Sequence, residues 1–462
     1  MNTPKTDSEI GKNLSTPALL LADESASTSD VLSHELGWVQ LLTLCLPAMA
    51  LTFAVTIYAP LVDRLKANYG VTTVVYNLNI TFALGAIAVG GLLITPLLEA
   101  MGKKRAFLST WLLFIIFNIG SAFVNNLGGL VVLRMIAFIF GGPAVFLLFT
   151  EIANCSNLHR QHLYFSIATM LSLLGLVMGP VAGGLIEGNH GNNSPDWSRY
   201  SIPIICFAFI LPYATFAASS RQQAPSTPPR QVKVSYRETL KMFVTFNIKE
   251  PIVIGITLYL SQLYFFLLVT LGAFPYAFGQ IRGYTTSEVA LTYLSLVIGV
   301  LLSMLMTLVS PLLKRTQSQV SFGDKDSQPE QLLTGFLLCG PLIPIGLFLF
   351  AWTATSTSTH WIAPMIGMIL FSFSSSVAFT DLNAYLSKVY GSNASTAIAC
   401  PLVSQLLTAS IAPLLTLFMI QRVTFGGSLS ILSGVILGLT FIPYLLWWKG
   451  KQLRHRSTYA RM

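Results

Sequence analysis

Few residues in this chain are equipped for chemistry, and those few stand alone in apolar surroundings. Arg134 lies in the run Val131-Val132-Leu133-Arg134-Met135-Ile136. An arginine inside a membrane-crossing segment is costly and normally faces a bundle interior or a water-filled cavity. Asp381 and Glu151 each close an apolar run, and Glu99 and Arg105 bracket the short turn 100–104. Burial disfavours the charged form of a carboxyl, which lets such a group load and release a proton near neutral pH. Proton loading and charge-latched gating are therefore the chemistry open to this set. No Ser-His-Asp order, pair of catalytic carboxylates or phosphate-cradling loop stands out, so the sequence does not point to an enzyme and implies no cofactor.

The remaining polar residues fit recognition better than reaction. Tyr259, Gln262 and Tyr264 cluster in one apolar run, with Asn77 and Gln405 in two others. Aromatic and amide groups in an apolar cavity suit a small amphipathic organic substrate, the polar atoms fixing its orientation. The six histidines fall in tails, loops or span ends. His159-Arg160-Gln161-His162 reads as solvated basic residues of a loop, with no acid or thiolate partner. The five cysteines are scattered with no paired spacing, which indicates neither a disulfide framework nor a metal site.

The elements that must position these groups are membrane spans. Of 462 residues 53% are hydrophobic and 10% charged, against roughly 25% charged in a soluble domain. A span needs about 20 mostly apolar residues. Charge-free runs of suitable length occupy 39–62, 67–98, 106–133, 135–150, 163–186, 200–220, 251–281, 289–313, 389–421 and 423–448. The long run 331–380 divides at the polar turn 353–360 into two more, giving twelve. The fold class expected is an all-α integral membrane protein with twelve transmembrane helices in two six-helix bundles.

Charge placement gives the orientation. With both termini in the cytoplasm, the cytoplasmic segments hold Lys5 and Lys12, Lys103 to Arg105, Arg160, six bases in 221–249, Lys314, Arg315, Lys325, Lys388 and five after Trp448. Only Arg64, Lys66, Arg199, Arg282 and Arg422 fall outside, as the positive-inside rule requires. The expected organisation is a disordered polar tail (1–37), a first bundle (38–220), a proline- and glutamine-rich linker (221–249), a second bundle (250–448) and a basic tail (449–462). The net charge of +9 is spread along the chain and forms no patch for nucleic acid. Each chain holds both halves of a cavity, so a monomer in the lipid bilayer is expected.

One motif is specific. Gly175-Leu176-Val177-Met178-Gly179-Pro180-Val181-Ala182-Gly183-Gly184 places small residues four apart, which lets helix backbones approach closely, and adds a proline that removes a backbone donor. This run resembles the fifth-helix antiporter motif of drug:proton antiporters in the major facilitator superfamily. The segment Gly90-Gly91 to Lys103-Lys104-Arg105 is similar to the family's loop between its second and third helices. Pro329-Glu330, the run 340–353, His360-Trp361-Ile362-Ala363-Pro364, and Tyr264 followed by Ala273-Phe274-Pro275 resemble the fungal twelve-span group.

The resemblance covers about residues 38–455. It implies secondary active export of a small, largely apolar compound (a drug, a fungicide or an endogenous toxic metabolite) in exchange for protons. It also implies the plasma membrane, or else the vacuolar membrane. In that reading Arg134, Asp381, Glu151, Glu99 and Arg105 couple or gate, Gly175, Gly179, Pro180, Gly183 and Gly184 form the antiporter motif, and Tyr259, Gln262, Tyr264, Asn77 and Gln405 line the cavity. The chain departs from the family pattern at Phe138, where a glycine is usual, and at Asn154, Gly272 and Lys388, where acids are usual. Gln405 replaces an arginine. The missing acids keep a proton-independent facilitator open, and a non-transporting sensor derived from a transporter is a further alternative.

Asn192-Asn193-Ser194 is the one glycosylation sequon that this topology places outside the cell within a loop. A glycosidase-sensitive mobility shift should vanish in Asn192→Gln, and a shift that persists would contradict the orientation.

Overall fold

A computed structural model describes residues 37–61, 70, 72–101, 103–124, 126–155, 158–188, 197–208, 236–317, 328–457 and 459–460. Both the expected N-terminal tail and Asn192 lie outside the described residues, as does most of the linker.

Twelve helices follow in order: α1 (Trp38–Thr56), α2 (Thr73–Met101), α3 (Lys103–Phe123) and α4 (Leu127–Gly141, resuming at Pro143–Ala153). Next come α5 (Leu158–Gly188), α6 (Trp197–Ala208), α7 (Pro251–Phe274) and α8 (Thr286–Thr292, then Leu294–Gln317). The last four are α9 (Thr334–Cys339, then Leu342–Thr353), α10 (Ile362–Tyr390), α11 (Ala394–Ser410, then Ala412–Val423) and α12 (Phe425–Arg456). A shorter helix, Tyr236–Lys249, precedes α7. The described residues contain no strand. In hydrocarbon every backbone polar group must find its partner within the protein, and a helix does this by itself.

Among the described residues, ten stretches are long and apolar enough to cross a membrane. One of them, Ile362–Thr416, holds α10 and most of α11, separated by a turn at Gly391–Asn393 where Gly391 takes φ +46°. α6 begins the expected sixth span, and 209–220 lie outside the described residues. Large apolar side chains face outward, among them Leu301, Leu305, Leu308, Phe441 and Trp448. An exposed apolar surface of that kind is suited to lipid rather than water.

Two boundaries differ from the sequence expectation. The charge-free run 106–133 is not one span, because the Asn126 side chain accepts a hydrogen bond from the Gly129 N–H at 2.7 Å and starts α4 at Leu127. Arg134 sits inside α4, two turns from its start, within a span as expected. The last span also runs further than expected, to Arg456.

The antiporter-like motif forms a seam between α5 and α1. A Cβ added at Gly175 would overlap the Met49 carbonyl, one at Gly179 the Thr56 hydroxyl, and one at Gly183 the Ile57 carbonyl. Nothing larger than glycine leaves room for α1 at that distance. Pro180 has no N–H to offer the carbonyl four residues back, Leu176. Thr56 of α1 supplies the missing donor, its hydroxyl bonding the Leu176 carbonyl at 2.6 Å, and one turn earlier the Thr52 hydroxyl bonds the Ser172 carbonyl at 2.8 Å. A second close approach joins α2 to α4, where Gly142 faces the Ile87 carbonyl and the Gly91 nitrogen.

Within the first six helices, α5 packs on α1, and α4 on α2 and α3; within the last six, α7 packs on α11 and α12, α10 on α8 and α9, and α12 on α9. The two groups meet through α5 against α8 and α10, and α11 against α2 and α4.

Thr56→Val should destabilise the detergent-solubilised protein by about 0.5–2 kcal/mol, the range for hydrogen bonds between membrane helices. In the Pro180→Ala background, where residue 180 regains its N–H, the same substitution should cost less. Thermal unfolding of the four proteins of this cycle measures the coupling, and equal costs in both backgrounds would remove the role given to the Leu176 carbonyl.

Candidate functional site

The interface between the two groups of helices holds most of the buried polar chemistry. The end that carries Arg160, Lys388 and Arg454 is the basic end. There Asp381 of α10 is 4% exposed and both of its oxygens are engaged. Oδ2 accepts the Phe336 N–H of α9 at 2.8 Å, and Oδ1 lies 2.9 Å from Nε2 of His162, on α5. Gln161, also buried, donates to the last carbonyls of α4, Ile152 and Ala153, each at 3.0 Å, and to the Ser387 hydroxyl of α10 at 2.6 Å. A helix leaves its final carbonyls without partners, and Gln161 satisfies two of them while bridging to the other group. Ser166 adds a 3.1 Å hydroxyl contact to Thr307 of α8.

This overturns the reading of His159-Arg160-Gln161-His162 as solvated loop residues without an acid partner. The stretch 160–162 belongs to the first turns of α5, and the partner acid, Asp381, lies 219 positions away in sequence. Glu151 is half-buried in the last turn of α4. Glu99 closes α2 and Arg105 opens α3 as expected, but their side chains lie outside the described residues.

Two further buried carboxylates at the basic end, Glu250 and Glu330, were not among the residues the sequence marked for coupling or gating. Glu250, the residue before α7, accepts the Tyr390 hydroxyl of α10 at 2.9 Å and the Ser457 hydroxyl after α12. Glu330, before α9, pairs with Arg454 of α12. Each adjoins a proline at a helix start (Pro251, Pro329), a sequence signal that marks a helix N-terminus but not what the acid will touch.

At the opposite end the two groups meet through groups that carry no charge. Gly184 of α5 lies against Ala290 of α8, close enough that a Cβ on Gly184 would sit 2.5 Å from that methyl. Asn77 of α2 donates its amide to the Pro413 carbonyl of α11 at 2.9 Å. Asn77 was expected to line a substrate cavity; instead its amide joins α2 to α11.

Between the two ends lies Arg134, 1% exposed. Its guanidinium donates to the Ala54 carbonyl of α1 at 2.6 Å and stands over the rings of Tyr58 (4.5 Å) and Phe138 (5.2 Å). Phe138 occupies the position where the family pattern has glycine, and its ring covers the charge. The expected aromatic pair of α7 separates. Tyr259 is 0% exposed and packs edge-on against Phe336 of α9 at 5.4 Å, inside the last six helices. The five residues to Tyr264 turn the helix by about 140°, and Tyr264 stands edge-on to Phe379 of α10 at 6.1 Å. Gln262 and Gln405 are partly exposed. α10 also buries a polar run that sequence reading passed over, with Ser372, Ser374, Ser375, Ser376, Thr380 and Asn383 all buried beside Asp381.

The interface is thus joined at one end by titratable groups and at the other by groups that carry no charge. The family profile of the Major Facilitator Superfamily matches residues 44–413. The chain belongs to this superfamily. It is a multi-pass membrane transporter, not an enzyme, and its family binds small-molecule substrates within the membrane.

Among curated relatives, the transporter is 27% identical to an efflux pump, FUB11, of Gibberella moniliformis, over 95% of this chain and 77% of the relative. It is also 27% identical to a cycloheximide resistance protein of Candida maltosa, over 88% and 79%. Among solved structures, the proton:xylose symporter XylE superposes with a TM-score of 0.63 at 16% identity, covering 88% of this chain and 94% of that one. The human organic anion transporter MFSD10 gives 0.63 at 14%, covering 87% and 98%. These two show a shared fold.

Replacing Asn77 by Leu removes one hydrogen bond that holds the end opposite the basic end shut. A cysteine introduced at Ala182 should then react with a membrane-impermeant thiol reagent about threefold faster, the change that ~0.6 kcal/mol gives. An unchanged rate would mean that Asn77 has no part in closure.

Proposed function

We propose that this transporter exports a small, largely apolar organic compound, either a toxicant such as a fungicide or a toxic metabolite of the cell itself, and that proton entry drives the export. The observation that carries the reading is Arg134, a permanent cation with 1% exposure in a transporter whose curated relatives are named efflux pumps and resistance proteins. A charge held at this depth is conserved by membrane proteins only at a cost. Beside the α1–α5 seam it can sense the charge state of an interior cavity as α1 and α5 shift.

The reading carries the rest of the organisation with it. Residues 38–220 and 250–448 act as two bundles joined by 221–249, and they rock about the interface so that a site near the bilayer midplane opens to each side in turn. The basic end, with both termini, faces the cytoplasm, and the molecule works as a monomer in the plasma membrane. Arg134, Asp381 and Glu151 couple or gate, with Glu99 and Arg105 at the loop between α2 and α3. Gly175, Gly179, Pro180, Gly183 and Gly184 let α5 slide along α1. Tyr264, Gln262 and Gln405 meet the substrate.

A second reading, a facilitator that moves its substrate without protons, is favoured by Asn154, Gly272 and Lys388 standing where the family pattern has acids. A protonophore separates the two, since export should collapse under the first and persist under the second. Arg134→Ala, matched for expression, should reduce export to background in a cell-efflux assay. Normal export by that variant would end the role given to Arg134.

A further inference from the structure

The two closures between the bundles differ in kind. Gly184 on Ala290 and Asn77 on a backbone carbonyl respond to no change in pH. The closure at the basic end passes through an imidazole on a carboxylate. We infer that His162 is a proton-binding residue of the transport cycle. Its protonated ring holds Asp381 across the bundles and keeps the cytoplasmic end shut, and release of that proton unlatches it. This rests on the proposed export reading and gives its proton a binding atom.

The geometry divides the labour between the two partners. Asp381 is fixed, since Oδ2 is tied to the Phe336 N–H and a Cβ on Gly335 would stand 2.6 Å from the same oxygen. Oδ1 is left to face α5. The His162 side chain is 30% exposed against 5% for that of Asp381, so the imidazole is the partner that water reaches. Imidazole is also the side chain that ordinarily changes charge between about pH 5 and 8. With the ring charged, the contact is an ion pair and a charge-assisted hydrogen bond, roughly twice as strong as a neutral one. With the ring neutral, the buried carboxylate keeps a hydrogen bond and loses its counter-ion, which is the costly state.

The sign follows directly. Protonation favours the latched form, so the latch is present at low pH and lost as pH rises. The neighbouring closures Gln161 to Ser387 and Ser166 to Thr307 do not titrate and set a constant background. Among the described side chains, the other charged or titratable groups on elements packed around the pair are Arg160 and Tyr164 on α5, Glu151 on α4, Cys339 on α9, Glu330 with its partner Arg454, and Tyr385 and Lys388 on α10. No covalent bond to carbon changes in the step. The proton exchanges between the free imidazole nitrogen and the water that reaches the ring, and its loss to that water precedes opening of the inner end.

The test uses the full chain in lipid nanodiscs, with fluorophores on Arg160→Cys and Ser392→Cys to read the distance across the cytoplasmic end between about pH 5 and 8. That distance should increase with rising pH in a one-proton transition. The transition should be absent in His162→Asn, which keeps a hydrogen-bond donor but does not titrate, and in Asp381→Asn. Export by His162→Asn in vesicles should lose its pH dependence while the protein still elutes as a single folded species. A pH transition that survives in His162→Asn overturns the inference, as does a flat distance in the parent protein. If the parent exports no compound yet shows the transition, the export reading fails and the proton site stands.

Discussion

The bond from the Thr56 hydroxyl to the Leu176 carbonyl is small, but the arrangement of α5 depends on what it stands for. Pro180 leaves a carbonyl without its helical donor in a setting that has no water to replace it. The nearest donor is on another helix, and it can reach only because Gly175, Gly179 and Gly183 bring α1 to backbone contact. The same residues that remove side-chain bulk also remove side-chain anchors. α5 is thus held to α1 by hydroxyl-to-carbonyl contacts along a smooth face, and it also touches the second bundle at both ends, Gly184 against Ala290 and His162 against Asp381.

Each buried charge whose contacts are described follows the same logic. Arg134 meets the Ala54 carbonyl and two rings, Asp381 meets a histidine and a backbone N–H, Glu250 meets a tyrosine and a serine, and Glu330 meets Arg454. In every case at least one partner comes from a different helix, and for Asp381 the histidine comes from the other group of six. Burying an ion without such partners costs several kcal/mol, so these groups specify which helices meet at the basic end. Their contacts belong to assembly, not to any single span.

The departures from the family pattern take on physical content in this light. Phe138 in place of glycine does not leave a gap beside Arg134; it covers the guanidinium with an aromatic face, a contact that desolvation strengthens. The usual acid near the end of α10 is replaced by Lys388, while Asp381, two turns earlier, is engaged with His162.

Composition and charge placement alone determined that this chain lives in lipid, how many times its apolar runs can cross, and that α5 would pack closely on something. Those properties follow from one-dimensional quantities: run length against bilayer thickness, sparse charge, and glycines four apart. Arg134 was legible for the same reason, as a charge in a run that should have none. The tertiary structure decided what one dimension does not carry. It turned Tyr259 into the interior of the second group and Tyr264 toward α10, because helix rotation is fixed by the neighbours. It gave Asn77 a carbonyl partner on α11, and it paired His162 with an acid more than two hundred residues away. A histidine at a span end reads as solvated until a second helix is laid across it, and which helix that will be is settled only when all twelve have packed.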